Sequence, residues 1–129
     1  MIAFMKSKPK HLKYEGYWDQ NKKGYWPVRF PCCWSDKQDW LKKVYSIERY
    51  LQESNQYIVY RGFSPSRLVK GELVGCGEYI DRKYGMGWPQ GYVKHYIEEQ
   101  EVPPTERFYN YILTRYETIP EEYKIINEL

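Results

Sequence analysis

The chain has 129 residues and a net charge of +3, and 42% of its residues are hydrophobic, with five Trp and fifteen Tyr in the sequence. This length fits one domain, and the aromatic content excludes an intrinsically disordered chain, so we expect one folded core rich in aromatic side chains. No apolar run reaches the roughly 18 residues of a membrane span, and the N-terminus lacks the apolar stretch of a secretory signal, so we expect a cytoplasmic protein without a membrane partner.

Charges are unevenly distributed along the chain. Residues 1–29 carry a net charge of +5, and residues 95–129 carry −5. Opposite charges at the two ends suit a charged partner surface, although solvation of the chain ends explains the same pattern. The cysteines are Cys32, Cys33 and Cys76, and their odd number without an export signal predicts free thiols in a reducing compartment.

The N-terminal part of the sequence predicts little regular structure. Residues 1–13 hold four Lys and one Pro, and we expect them to form a flexible basic arm. Residues 14–129 are predicted to form a single domain. Its first element is a short edge strand over residues 24–30, which Pro27 interrupts.

A helix over residues 36–53 is predicted from apolar side chains at helical spacing. Ser35 and Gln38 have the spacing of a capping box, which places the N-cap at Ser35. Residues 56–63 are rich in β-branched and aromatic side chains and are predicted to form a buried strand, and residues 72–81 form a second β segment interrupted by glycines. These two strands are expected to pair antiparallel.

Three helices complete the predicted fold. Pro89 fits the first position of a helix over residues 89–101, and Thr105 fits the N-cap of a helix over residues 105–117. A short helix over residues 120–128 follows. The predicted fold class is therefore α+β, with a small antiparallel sheet of about three strands packed with about four helices in a single domain.

Residues 60–108 contain several short motifs: Tyr60-Arg61-Gly62-Phe63-Ser64, Arg67-Leu68, Gly75-x-x-Glu78-x-x-Asp81, Trp88-Pro89-x-Gly91, His95-Tyr96 and Val102-Pro103-Pro104. They resemble a family of small uncharacterised bacterial proteins with the approximate pattern Gly-Tyr-Ser-x-Cys-Arg, Glu-Leu-Thr-Asp-Gly and Trp-Pro-Glu-Gly-x-x-His-Tyr-Val. The chain departs from that pattern at Ser66, Arg82 and Gln90, where the family has Cys, Gly and Glu. If the family cysteine binds metal, this chain has lost that ligand. The resemblance implies a bacterial fold and no particular activity.

One candidate site lies within the resembling stretch and consists of Arg67, Glu78, Asp81 and His95. If the second strand packs beside the helix over residues 89–101, a carboxylate could orient His95, which would then act as a general base. The alternative is structural, because a His bonded to a carboxylate, with an Arg closing an ion pair, also fixes a helix to a sheet. No nucleophile accompanies the group.

Two further enzyme-like or metal-binding hypotheses are weaker. Cys32, Cys33, Cys76 and His95 could supply four zinc ligands, but adjacent cysteines lack the Cys-x-x-Cys spacing of a zinc knuckle, so neither a metal nor a cofactor is predicted. Arg61 and the pair Glu99 and Glu101 suggest an ADP-ribosyltransferase-like site, yet the intervening Ser-Thr-Ser strand of that class is missing.

Nucleic-acid binding is a third alternative. The N-terminal region interleaves basic and aromatic residues, a combination that can contact phosphates and stack on bases. The acidic C-terminal third would repel phosphate. The residues concerned are Lys6, Lys8, Lys10, Lys13, Tyr14, Tyr17, Trp18, Lys22, Lys23, Tyr25 and Trp26.

The preferred hypothesis is a non-enzymatic protein-binding module, such as a bacterial immunity or antitoxin-type protein that occludes a toxin enzyme. It rests on the small domain, the polarised charge and the many Tyr and Trp residues, which are favoured interface anchors. The partner would present a basic surface to the acidic C-terminal segment of this chain. The predicted partner-binding residues are Glu98, Glu99, Glu101, Tyr109 and Tyr116.

Overall fold

Helix α1 (Lys37–Glu53) is the central element of the fold. The computed structural model describes residues 12–18, 26–31 and 34–125 of the chain. The apolar residues of α1 recur at helical spacing and face a common core, so the helix predicted over residues 36–53 is confirmed. The buried apolar residues of α1 are Trp40, Leu41, Val44, Ile47 and Leu51.

Two small sheets accompany α1. The strands in chain order are β1 (Lys13–Tyr14), β2 (Tyr57–Val59), β3 (Ser64–Pro65), β4 (Leu73–Val74), β5 (Gly77–Asp81) and β6 (Met86–Pro89). The larger sheet has the order β1-β6-β5-β2, and β3 pairs with β4 in a separate two-stranded sheet. The pairs β2–β5, β3–β4 and β5–β6 are antiparallel, as predicted for the two central β segments, whereas β1 and β6 are parallel.

Three further helices cover the core: α2 (Tyr92–Glu99), α3 (Glu106–Tyr116) and α4 (Glu122–Ile125). Helix α2 is a π-helix, in which the amide of Gln100 donates to the carbonyl of His95 at 3.0 Å. The predicted cap of α3 is confirmed, because the Thr105 hydroxyl accepts from the amide of Phe108 at 3.1 Å. The chain is therefore an α+β single domain, as predicted. In the described residues, no helix is long and apolar enough to cross a membrane.

Several local predictions are wrong. Pro89 ends β6 instead of starting a helix. Residues 86–89 form a strand that was not predicted, because Gly85 and Gly87 are typical of a flexible loop. Residues 26–31 contain no strand, and residues 24 and 25 of that prediction lie outside the described residues. The strand predicted as buried over residues 56–63 lies at the edge of the sheet, and Ile58 and Val59 of β2 are exposed. The sheet has four strands with mixed direction instead of three antiparallel ones, because β1 adds to β6.

The predicted end of the basic arm and the predicted N-cap of α1 also differ from the structure. Leu12 is buried and Lys13 pairs with β6, so the end of the predicted basic arm belongs to the folded body. Residues 1–11 lie outside the described part. The N-cap of α1 is Asp36, not Ser35, and no side chain caps this end. The Asp36 carboxylate instead accepts a hydrogen bond from the Tyr109 hydroxyl, which ties α1 to α3.

Buried polar groups fix the sheet to the helices. Asp81, at the end of β5, accepts from Arg115 Nε at 2.8 Å and from the Tyr111 hydroxyl at 2.5 Å. Both Asp81 and Arg115 are almost fully buried, so each needs the other to offset the cost of losing water. A second buried carboxylate, Glu15, accepts from the Tyr92 hydroxyl at 2.6 Å and joins β1 to α2.

Candidate functional site

The four polar residues predicted as a site do not share one set of partners. Asp81 belongs to the buried ion pair with α3 described above. The Arg67 guanidinium donates to the carbonyl of Pro65 at 2.8 Å, within its own loop. Glu78 accepts hydrogen bonds from two tyrosine hydroxyls, and His95 lies on α2 with other partners. Asp81 fixes the sheet to a helix through Arg115 and not through His95 or Arg67, and the predicted four-residue group is not assembled.

His95 has a more specific environment than the sequence indicated. Its side chain is buried, and its Nε2 lies 2.7 Å from the Ser66 hydroxyl oxygen. Its Nδ1 lies 3.5 Å from a carboxylate oxygen of Glu72 and 3.6 Å from one of Glu99. Ser66, His95 and the two carboxylates thus follow one another in the order of a serine hydrolase triad.

The hydrogen bonds of Ser66 argue against such a nucleophile. Its hydroxyl oxygen accepts from the backbone amides of Leu68 at 3.1 Å and Val69 at 2.9 Å, so both lone pairs are engaged in holding a turn. The hydroxyl proton is then left to donate to His95 Nε2. Ser66 therefore caps a turn and orients the imidazole, and the residues that line the cavity described next do not include Ser66 or His95.

A cavity of about 350 Å³ opens between the N-terminal segment, the loop after β2 and α2. Two of its lining tyrosines, Tyr17 and Tyr60, donate their hydroxyl protons to Glu78, whose side chain is buried. Burial, followed by the hydrogen bond to Glu78, raises the pKa of Tyr17, so this hydroxyl remains a donor. Arg61 and Arg67 also line the cavity and give it a basic rim.

Residues 57–65 and 73–81 form a bent two-stranded ribbon, which we call the docking ribbon. Strands β2 and β3 run antiparallel to β5 and β4, and the amide of Tyr60 bridges the bend by donating to the carbonyl of Cys76 at 2.7 Å. Several large apolar side chains of the ribbon are accessible to solvent, which is unusual for side chains of this size. Its exposed apolar residues are Ile58, Val59, Tyr60, Phe63 and Leu73.

Most side chains of the predicted acidic partner surface already contact other side chains of the protein. Tyr109 is half-buried and stacks on Trp40, and Tyr116 is also half-buried. Glu98 accepts from the Tyr45 hydroxyl, and Glu99 faces His95. Of the five predicted residues, only Glu101 is exposed with no hydrogen bond or ion pair from its side chain among the described residues. This surface therefore lacks free aromatic anchors.

The predicted nucleic-acid surface is only partly described. Tyr14 and Trp18 are half-buried, and the Trp18 ring packs against Tyr92 and Tyr96, so it is not free to stack on a base. Lys13 is exposed but belongs to β1. The remaining basic and aromatic residues of this prediction, apart from Tyr17 and Trp26, lie outside the described residues.

The cysteines do not gather around His95 in the described part of the chain. Cys76 is half-buried and has a free thiol, and its amide donates to Gln90 Oε1 at 2.8 Å. Cys32 and Cys33 lie outside the described residues. The group that could hold a metal is instead Glu72, His95 and Glu99. Glu72 was not predicted, because it lies 23 positions before His95 and no local spacing connects them.

Comparison of the chain with protein-family models, with curated proteins and with solved structures finds no match. The resemblance of residues 60–108 to a bacterial family therefore stays a prediction. The function is argued from the geometry of the chain itself.

Proposed function

We propose that the protein is a non-enzymatic binding module that receives an extended segment of another protein along the docking ribbon. The observation that carries the proposal is the group of exposed apolar side chains on and beside an open strand edge. Val59 is 67% exposed and Phe63 is 59% exposed, although both sit in or next to regular β structure. Large apolar side chains left in water in this way mark interaction surfaces.

The outer edge of β2 supplies main-chain hydrogen bonds for such a segment. The carbonyl of Gln56 accepts from Ile80, and the amide of Tyr60 donates to Cys76, so alternate residues of β2 face β5. In an antiparallel pair the intervening residues point the other way, which directs the amides of Tyr57 and Val59 outward. Among the described residues, no strand pairs with this edge. An added strand would satisfy these groups.

The chemistry of the ribbon favours a protein over a nucleic acid. Ile58, Val59 and Leu73 are aliphatic and cannot stack on bases, whereas they pack well against side chains of an added strand. The basic residues nearby are Arg61, Arg67 and Lys70, with Glu72 as the acidic residue of the same segment. The expected partner segment is therefore extended and apolar, with acidic residues that pair with Arg61 and Arg67.

The cavity beside the ribbon provides a place for an anchor. Tyr60 and Phe63 belong to both the ribbon and the cavity lining, so a side chain that crosses the ribbon would enter an aromatic pocket. Buried anchors in such pockets supply most of the binding free energy of many interfaces. More specifically, we propose that the protein is an immunity or antitoxin-type bacterial protein that occludes a toxin enzyme in the cytoplasm. The ribbon replaces the acidic surface as its main contact.

Val59→Lys tests this proposal. A lysine on an exposed edge strand opposes strand addition without removing a buried contact, so we expect the fold to remain and the partner to be lost. The matched control is Val28→Lys, because Val28 is 68% exposed and lies outside any strand. Full-length wild type and both variants serve as baits for a lysate of the source organism, and the captured proteins are quantified by mass spectrometry.

A supporting result is one identified protein that wild type and Val28→Lys capture and that Val59→Lys captures in an amount lower by more than about tenfold. Hydrogen exchange of the purified complex should also show new protection at the amides of Tyr57 and Val59. Equal capture by all three baits would overturn the ribbon as the contact. Retention of single-stranded oligonucleotides, or ribbon-dependent self-association in sedimentation experiments, would replace the proposed partner by a nucleic acid or by a second copy.

A further inference from the structure

The surroundings of His95 Nδ1 point to a ligand other than protein. The ring is buried, with 5% of its surface exposed, and Nδ1 faces the carboxylates of Glu72 and Glu99. The distances of 3.5 and 3.6 Å are too long for hydrogen bonds. The three donor atoms nevertheless lie within 4.8 Å of one another.

These separations match those between ligands of a metal ion. A tetrahedral zinc ion bound at about 2.0–2.1 Å holds neighbouring nitrogen and oxygen ligands about 3.3–3.4 Å apart. The Nδ1-to-carboxylate distances are within a few tenths of an ångström of that value. Imidazole nitrogen and carboxylate oxygen are also the ligand types that zinc accepts.

We propose that Glu72, His95 and Glu99 bind a divalent transition-metal ion, with Zn²⁺ as the first candidate. Nδ1 of His95 and one oxygen of each carboxylate supply three ligands, and a water molecule occupies the fourth position. Both carboxylates carry negative charge and reach solvent, which gives the ion a route of entry. The sequence-based expectation of no metal considered only the cysteines with His95.

Two structural features hold the ligands in place. His95 and Glu99 are four positions apart on α2 and therefore share one side of the helix. Glu72 lies in the segment before β4, and the Glu72 carbonyl accepts a hydrogen bond from the Ser66 amide at 2.8 Å. Ser66 also holds Nε2, which is the outer contact that a metal-binding imidazole requires.

Metal binding at Nδ1 changes the tautomer of His95. Without the ion, Nδ1 carries the proton that faces the carboxylates, and Nε2 accepts from the Ser66 hydroxyl. With the ion, the neutral ring carries its proton on Nε2 and donates it to the Ser66 hydroxyl oxygen. To accept it, that oxygen gives up the longer of its two backbone hydrogen bonds, the 3.1 Å bond from the Leu68 amide. The bound ion would join α2 to the segment that carries Leu73 of the docking ribbon. This inference is independent of whether the ribbon binds a protein.

The test is calorimetric titration of Zn²⁺ into chelator-treated full-length protein. We expect one equivalent to bind, and we expect Glu72→Gln and Glu99→Gln each to weaken the affinity at least about tenfold. Both replacements preserve side-chain length at accessible positions, so melting curves without metal should match wild type. Glu101→Gln is the matched control, because Glu101 is an exposed carboxylate two positions from Glu99 that is outside the ligand group.

The cysteines provide the competing explanation, and Co²⁺ distinguishes it. Bound Co²⁺ should lack thiolate charge-transfer absorption, and its binding should survive joint replacement of Cys32, Cys33 and Cys76 by Ser. Strong thiolate absorption, loss of binding in the cysteine variant, or unchanged affinity in Glu72→Gln and Glu99→Gln would each overturn the proposed site. Absence of Zn²⁺ binding to wild type would do the same.

Discussion

At the scale of single residues, Glu48 shows how a carboxyl group is shifted by its surroundings. It lies on α1, and its carboxylate accepts from Trp88 Nε1 at 2.8 Å. Burial raises the pKa of Glu48 to about 7, and the hydrogen bond from Trp88 opposes that shift only in part. The protonated form is therefore favoured in the folded chain over a wider pH range than in the unfolded chain.

This shift predicts that stability falls as pH rises. Because the pKa of Glu48 is raised from 4.5 to about 7 on folding, its contribution is fully present below about 4.5 and is lost as pH rises through about 7. Glu48→Gln keeps an acceptor for Trp88 and cannot ionise. We expect the variant to be more stable than wild type at pH 8 by about 1–2 kcal/mol, and to differ little at pH 4. Denaturant titrations at both pH values measure this, and equal stability at pH 8 would contradict it.

At the scale of elements, Gly75 separates β4 from β5 and permits the bend of the docking ribbon. Its φ is +48°, a conformation that other residues rarely adopt. A Cβ at this position would lie 2.0 Å from the carbonyl oxygen of Gln90. Because that oxygen belongs to the backbone, the loop after β6 would have to move.

We expect Gly75→Ala to lower the free energy of unfolding by at least about 3 kcal/mol, through the left-handed conformation and the backbone clash together. Gly62→Ala is the control, because Gly62 has φ +74° but no atom within 4 Å of an added Cβ. It should cost only about 1–2 kcal/mol, the penalty of the conformation alone. Chemical denaturation measures both, and equal losses would show that the ribbon adapts to the added atom.

At the scale of the whole molecule, β1 forms one edge of the sheet, although it is far in sequence from its neighbour β6. The amide of Lys13 donates to the carbonyl of Gly85 at 2.8 Å, and the amide of Glu15 donates to the carbonyl of Gly87 at 2.9 Å. Leu12 is buried at 8% exposure. Leu12 and Lys13 therefore belong to the folded body.

Two truncations test this assignment. The chain without residues 1–13 lacks Leu12 and Lys13. We expect it to be about 2–3 kcal/mol less stable than the chain without residues 1–11, because apolar burial and one ladder hydrogen bond are lost. This corresponds to a melting temperature lower by roughly 8 °C. Thermal unfolding of the two truncated chains gives the comparison directly. Equal melting temperatures would mean that β1 contributes nothing to stability.

Local patterns predicted the elements that depend on neighbouring residues. The spacing of apolar residues gave α1, and the hydroxyl of Thr105 gave the start of α3, because periodicity and capping act within a few positions. The composition of residues 56–63 and 72–81 identified β2, β4 and β5 and the antiparallel pairing of β2 with β5, whereas β3 lies just beyond the predicted strand. His95 was singled out from the sequence, although with different partners from those it has.

Only the tertiary structure decided which distant residues meet. The parallel pairing of β1 with β6, the strand that ends at Pro89 and the approach of Glu72 to His95 all depend on chain segments far apart in sequence, which no local pattern encodes. The sequence likewise could not show that Tyr109 is packed on Trp40 while Val59 and Phe63 remain in water. Aromatic and β-branched residues serve equally in cores and at interfaces, and burial alone separates the two.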